Sequence, residues 1–166
     1  MFKKTLLLVF FIFTTTLLLN AQQLEKGTAI VGLSGAYINV SGSGIGIVNG
    51  SYLGMLNSNI ALGGFLNFLS GGNTSVVTLG PSLRGYLTNT GTSRPFLLGN
   101  LGINTSSGGV TYNGGIGLSN FLNEHIAVDI AATYGNSITL GGINSSSSSG
   151  VFAIQLGFQV FLPKKK

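Results

Sequence analysis

Large apolar residues recur at every second position along most of the chain. The pattern is sharpest in Val151–Leu162, where Phe152, Ile154, Leu156, Phe158, Val160 and Leu162 alternate with Ala153, Gln155, Gly157 and Gln159 until Phe161 breaks the rule. A period of two marks a strand with two unlike faces. The small or polar face carries Gly, Ala and Gln, not the Lys, Glu or Thr usual where a sheet meets water. The other face is more apolar than one side of a small core requires. This combination suits a strand with lipid on one side and a narrow polar lumen on the other.

Seven earlier stretches read the same way. Residues 28–38 place Ala29, Val31, Leu33 and Tyr37 outward against Thr28, Gly32, Ser34 and Ala36. Residues 45–55 place Val48 and Tyr52 outward against Asn49 and Ser51, and residues 60–70 place Ile60, Leu62, Leu66 and Phe68 outward against Ala61, Gly63 and Asn67. Residues 75–87 give Val77, Leu79, Leu83 and Leu87 out, and Thr78, Ser82 and Arg84 in. Pro81 cannot donate to a ladder, so a bulge or weakened pairing is expected there. Residues 95–105 are the least regular, with Leu97, Leu101 and Ile103 out and Asn100 and Asn104 in. Residues 110–120 and 126–136 complete the set, the latter with Ile130 and Tyr134 out, Asp129 and Thr133 in, and a continuation to Leu140 allowed by the pattern. The fold class expected is all-β: an eight-stranded antiparallel up-and-down transmembrane β-barrel.

The linkers fit that topology. With both ends of the barrel on the periplasmic side, the gaps at 56–59, 88–94 and 121–125 are periplasmic. Those at 39–44, 71–74, 106–109 and 137–149 face outward, the last ending in five consecutive serines. Tyr37, Phe68, Tyr112, Tyr134 and Phe152 then fall on the lipid face near the outer end. That is where a ring with an apolar body and a wettable edge is most at home. A partial repeat also emerges: LNSNIAL from Leu56 matches LNEHIAV from Leu122, as if one hairpin turn were used twice.

Composition adds the compartment. The chain opens Met1-Phe-Lys-Lys, continues in an apolar run from Leu6 to Leu19, and reaches Asn20-Ala-Gln. A basic start, a short apolar core and a small residue at the end read as a cleavable signal peptide over residues 1–21, cut near Ala21, leaving one domain over 22–166. No Cys is present, which excludes lipoprotein processing, disulfides and thiolate chemistry. Charged residues make up 7% of the chain, against about 25% in soluble domains. Between Thr28 and Leu162 they are Arg84, Arg94, Glu124 and Asp129, with no net charge. The formal +5 therefore arises at the ends of the chain, where Lys3, Lys4 and Lys164 to Lys166 sit, and gives no basis for binding nucleic acid.

Several stretches resemble the small bacterial outer-membrane barrel family described as the outer membrane protein beta-barrel domain, similar in shape to the OmpX and OmpA barrels. They are Gly80-Pro-Ser-Leu-Arg-Gly-Tyr-Leu followed by Pro95-Phe96, and Gly117-Leu-Ser-Asn-Phe-Leu followed by Ile126-Ala-Val. Gln155, Gly157, Val160 and Leu162 also resemble the C-terminal assembly signal of such barrels, although the family usually ends on an aromatic and this chain continues through Pro163 and three Lys. The resemblance implies location in the bacterial outer membrane, contact with its lipid, and insertion by the barrel assembly machinery. It implies no single activity.

Chemistry is sparse. Three acids and one His leave little for catalysis or metal binding, and only Glu124 and His125 cluster, in an expected turn. No enzymatic role, cofactor or metal is expected. The Gly runs at 42–46 and 114–117 lack the following helix and Lys-Ser/Thr of a phosphate loop and are read as room in a tight lumen. Arg84 and Asp129, both inward and about three residues from the periplasmic end, are expected to pair across the lumen and plug it, since a lone charge there is costly; the alternative is a solvated Arg84 near the exit. The functional expectation is a structural or surface-interaction barrel with a side-chain-filled lumen. The alternative is a porin-like conduit or carrier for a small solute. A surface partner is not specified by the residues.

Overall fold

The computed structural model describes residues 24–40, 43–71, 74–106, 108–135 and 151–163, with backbone alone for 37–40, 43–45, 71, 74 and 151. The expected leader over 1–21, the continuation to Leu140, the serine run and the C-terminal lysines lie outside the described residues.

Eight strands follow in order: β1 (Ala29–Val40), β2 (Ser43–Met55), β3 (Ile60–Gly71), β4 (Thr74–Tyr86), β5 (Ser93–Asn104), β6 (Val110–Phe121), β7 (Ile126–Gly135) and β8 (Val151–Leu162). Each pairs antiparallel with its neighbours in sequence, and β1 pairs with β8, from Ala29↔Leu162 to Gly35↔Leu156, to close the barrel. The strands are longer at the long-loop end than their hydrophobic pattern suggests. Asn39 faces Gly44 and Val40 faces Ser43, inside a stretch read from sequence as a loop. Ser and Gly give no alternation to detect, yet their backbone groups pair as well as any others.

Pro81 weakens one ladder without shifting it. β3 pairs continuously through Gly64↔Pro81. On the β5 side the pairing runs Thr78↔Asn104, Leu79↔Ile103, then resumes at Ser82↔Asn100 in the same register. The bulge is absent and the gap is present, because Pro lacks the N–H but fits an extended backbone. Beside it, a Cβ on Gly80 would run into the carbonyl of Leu101, so glycine is what lets the two strands approach there.

The repeated turn is built twice from the same bonds. Leu56 N donates to Ile60 O (2.8 Å) and Leu122 N to Ile126 O (2.9 Å). Asn57 Oδ1 accepts from the amides of Asn59 and Ile60, and Asn123 Oδ1 accepts from that of His125, each at 2.8 Å. Each turn then offers a carbonyl onward: Asn59 O accepts from Tyr86 N on β4, and His125 O from Phe161 N on β8. Met55 N to Thr28 O and Phe121 N to Thr92 O are a further matched pair. The short-turn end of the barrel therefore has two similar halves, β1–β4 and β5–β8.

Side chains alternate as the period-two pattern requires. Leu33, Tyr52, Leu66, Leu83, Leu101, Ile116, Ile130 and Leu156 are all exposed on the outer wall. The inner wall differs from the expected lining of amides, hydroxyls and glycines. Its short-turn half is an apolar plug of Ile30, Leu53, Met55, Tyr86, Phe96, Phe121 and Phe161, capped by Leu24 from the segment before β1. Phe121 and Phe161 stack at 4.9 Å between ring centroids, and Tyr86 meets Phe96 edge-on at 6.1 Å. A barrel of eight strands has an interior that side chains can fill, and large rings fill it with few residues.

Candidate functional site

The middle of the lumen is where the chain's charge chemistry collects. Arg84 reaches inward from β4 and Asp129 from β7, and Arg84 Nη1 donates to Asp129 Oδ2 at 2.6 Å. Gln159 Nε2, from β8, donates to the same oxygen at 2.6 Å. Its position follows from register: Asp129 faces Gly157, so Gln159 points inward one step along. Tyr86 Oη closes the group by donating to Gln159 Oε1 at 3.3 Å. The guanidinium of Arg84 also lies 4.1 Å from the centre of the Phe96 ring, a cation–π contact strengthened by exclusion of water.

A buried ion pair is net stabilising only when its remaining valences are met. Here one carboxylate oxygen has two donors and the cation has an aromatic face, while Asp129 Oδ1 has no partner among the described residues. Counting from the matched turns, Asp129 stands where the other half has Gly63, so the carboxylate is a feature of the second half alone.

Arg94 is a second buried cation, which the alternation did not place. It was read as part of a linker at 88–94, but β5 begins at Ser93, and parity with Phe96 and Leu98 turns Arg94 inward. Its side chain is fully buried, Nε donates to Gly91 O at 3.0 Å, and the guanidinium lies 4.3 Å from the Phe121 ring centre. Carrying the inward parity of Phe96 back one step, past Pro95, is the signal that places it from the sequence.

Above the ion pair the wall is polar. Asn100 Nδ2 donates to Asn113 Oδ1 (2.8 Å), and Gln155 Nε2 to Thr133 Oγ1 (3.2 Å). A cavity of about 50 Å³ lies between these layers. Of the assembly-signal positions, Gln155 and Gly157 face inward, while Val160 and Leu162 face outward. Of the aromatic positions, Phe68, Tyr112, Tyr134 and Phe152 face outward, with Tyr134 directly opposite Phe152. The side chain of Tyr37 lies outside the described residues. Glu124 and His125 are exposed in the second turn, and no cluster of His and acids suited to a metal occurs among the described residues.

No family model and no curated protein matches the sequence. Solved structures that share the fold include the following two. A de novo designed transmembrane β-barrel matches with a TM-score of 0.61 at 13% identity, over 85% of this chain and all of that one. The N-terminal β-barrel domain of Pseudomonas aeruginosa OprF matches with a TM-score of 0.58 at 16% identity, over 82% of this chain and 98% of that one.

Proposed function

We propose that the chain is an integral β-barrel of the bacterial outer membrane, exported by a leader cleaved near Ala21, with a structural or surface-interaction role and no catalytic activity. The observation that carries this is the outer wall. Large apolar side chains cover it on every strand, and 24 of them among the described strand residues are exposed. A soluble monomer rarely leaves a continuous apolar surface of that extent. Strands of 10 to 13 residues, at roughly 3.3 Å per residue and a tilt of about 40°, rise about 25–33 Å, close to the hydrocarbon thickness of about 30 Å. The fold shared with a designed transmembrane barrel and with the OprF barrel domain supports the same reading.

The lumen favours an anchor over a conduit. An apolar plug, with Arg94 buried against Phe121, is followed along the lumen by the Arg84–Asp129 pair, and the cavity of about 50 Å³ has room for a few waters only. Insertion into a planar lipid bilayer tests this. The expected record shows no stable conductance steps; steady unitary steps would make the barrel a channel and overturn the anchor reading.

A further inference from the structure

We infer that the short-turn end of the barrel is a docking surface for the headgroups of anionic phospholipid, formed by Lys26 and by the lysine run at 164–166. The inference rests on the membrane reading above. Its first support is the placement of charge. Between Thr28 and Leu162 the charged residues are Arg84, Arg94, Glu124 and Asp129, and all four lie in the short-turn half. The gaps at 39–44, 71–74, 106–109 and 137–149 hold no Lys, Arg, Asp or Glu. The second support is the edge of the apolar wall. β2, β4, β6 and β8 run toward the short-turn end, and each finishes at an exposed leucine: Leu56, Leu87, Leu122 and Leu162. Pro163 is exposed just beyond, and Lys164, Lys165 and Lys166 follow it directly in the chain. Ala29 pairs with Leu162, so the exposed Lys26, three residues before Ala29, sits at the same edge.

Covalent geometry fixes the reach. A chain advances at most about 3.6 Å per residue, which keeps Lys164 within about 7 Å of Leu162 and Lys166 within about 14 Å. The headgroup layer is about 5–7 Å deep on each side of the hydrocarbon, so the run starts inside it. Glu25 and Glu124 are the acids of this end, both exposed. Phe161 N donates to His125 O, which ties the turn of Glu124 to β8. One carboxylate there does not neutralise three ammonium groups, and Lys26 offsets its neighbour Glu25. The excess positive charge finds its complement in a lipid of net negative charge, whereas a choline headgroup cancels its own phosphate. Each lysine near an anionic surface favours contact about fivefold, and about 1 M salt, with a Debye length of about 3 Å, removes most of that.

The test uses the full chain with a cysteine appended after Lys166, the only one present, carrying a spin label. The protein is refolded into vesicles of phosphatidylcholine alone, or of phosphatidylcholine with about a third phosphatidylglycerol. The expected result is a label slowed in the anionic vesicles and freed by about 1 M salt, but mobile in phosphatidylcholine throughout. Replacing Lys164→Gln, Lys165→Gln and Lys166→Gln together should lower the ratio of slowed to free label about a hundredfold in the anionic vesicles. Equal mobility in the two lipids overturns the proposal. So does a label slowed in both and released by Glu124→Gln, which would make the run a partner of the barrel's own acid. A label indifferent to lipid but slowed by soluble polyglutamate would point to an acidic protein partner instead. The heat-dependent gel shift of the same samples separates the two readings. Its absence removes the membrane barrel and this surface with it; a shift without a response to lipid charge removes the surface alone.

Discussion

Arg84 and Asp129 join across the lumen from β4 and β7, 2.6 Å apart. Asp129 is one of three acids in the chain, and the other two, Glu25 and Glu124, are exposed. The pair is therefore the one place among the described residues where a buried cation meets a carboxylate. Replacing Asp129 with Ala strands the guanidinium and is expected to cost about 3–5 kcal/mol, as breaking a buried pair usually does. The double change Arg84→Met with Asp129→Leu is expected to recover most of that loss, since an apolar filling avoids the desolvation penalty. Urea unfolding of the lipid-reconstituted protein, followed by circular dichroism, measures both. Equal stability of Asp129→Ala and the parent would remove the pair from the account.

The aromatic plug carries a second expectation. Phe161 is fully buried and packs on Phe121, over whose ring Arg94 lies. Phe161→Ala is expected to destabilise the barrel by about 3–5 kcal/mol, the usual range for deleting a buried phenyl ring. The same unfolding assay reports it, and a loss well under 1 kcal/mol would mean that the mouth collapses freely or was never packed.

The two copies of the turn differ in a measurable way. Asn57 Oδ1 accepts two amide hydrogen bonds and Asn123 Oδ1 one, all in exposed turns. Asn57→Ala and Asn123→Ala are each expected to cost about 0.5–1.5 kcal/mol, with Asn57 the larger. The reverse order, measured by the same unfolding curves, would show that the copies are not equivalent in the way their bonds suggest.

The outer wall should respond to charge by depth. Leu66 lies in the middle of β3 and is 52% exposed. In lipid, Leu66→Arg is expected to lower folding stability by about 2–4 kcal/mol, and the loss should shrink toward zero when Arg is placed near a strand end. A flat profile along the strand, read from unfolding in vesicles, would argue that no hydrocarbon surrounds the wall.

Strand number, pairing order and the direction of nearly every named side chain were legible in the alternation, because a one-residue slip would reverse a whole strand. Arg84 and Asp129 could be matched in depth from their distance to the strand ends. The aromatic plug could not be read in this way. Around Ile30 the neighbours Ala29 and Val31 are apolar too, so alternation loses contrast where both faces are apolar. Arg94 was hidden by Pro95, which reads as the start of a strand when it is the third residue of one. Gln159 was legible as inward, but its bond to Asp129 depends on the β7–β8 register, which a single sequence does not disclose.

If the barrel spans a membrane, its apolar wall faces lipid and its lumen does not. The chain contains no Trp, so one introduced indole reports its own surroundings. The most direct measurement is fluorescence quenching by lipids brominated along their acyl chains, for Leu66→Trp and Leu101→Trp on the outer wall and Phe65→Trp on the inner. Strong quenching is expected at the two outer positions and little at Phe65→Trp. Equal quenching at all three, or none at the outer pair, would contradict it.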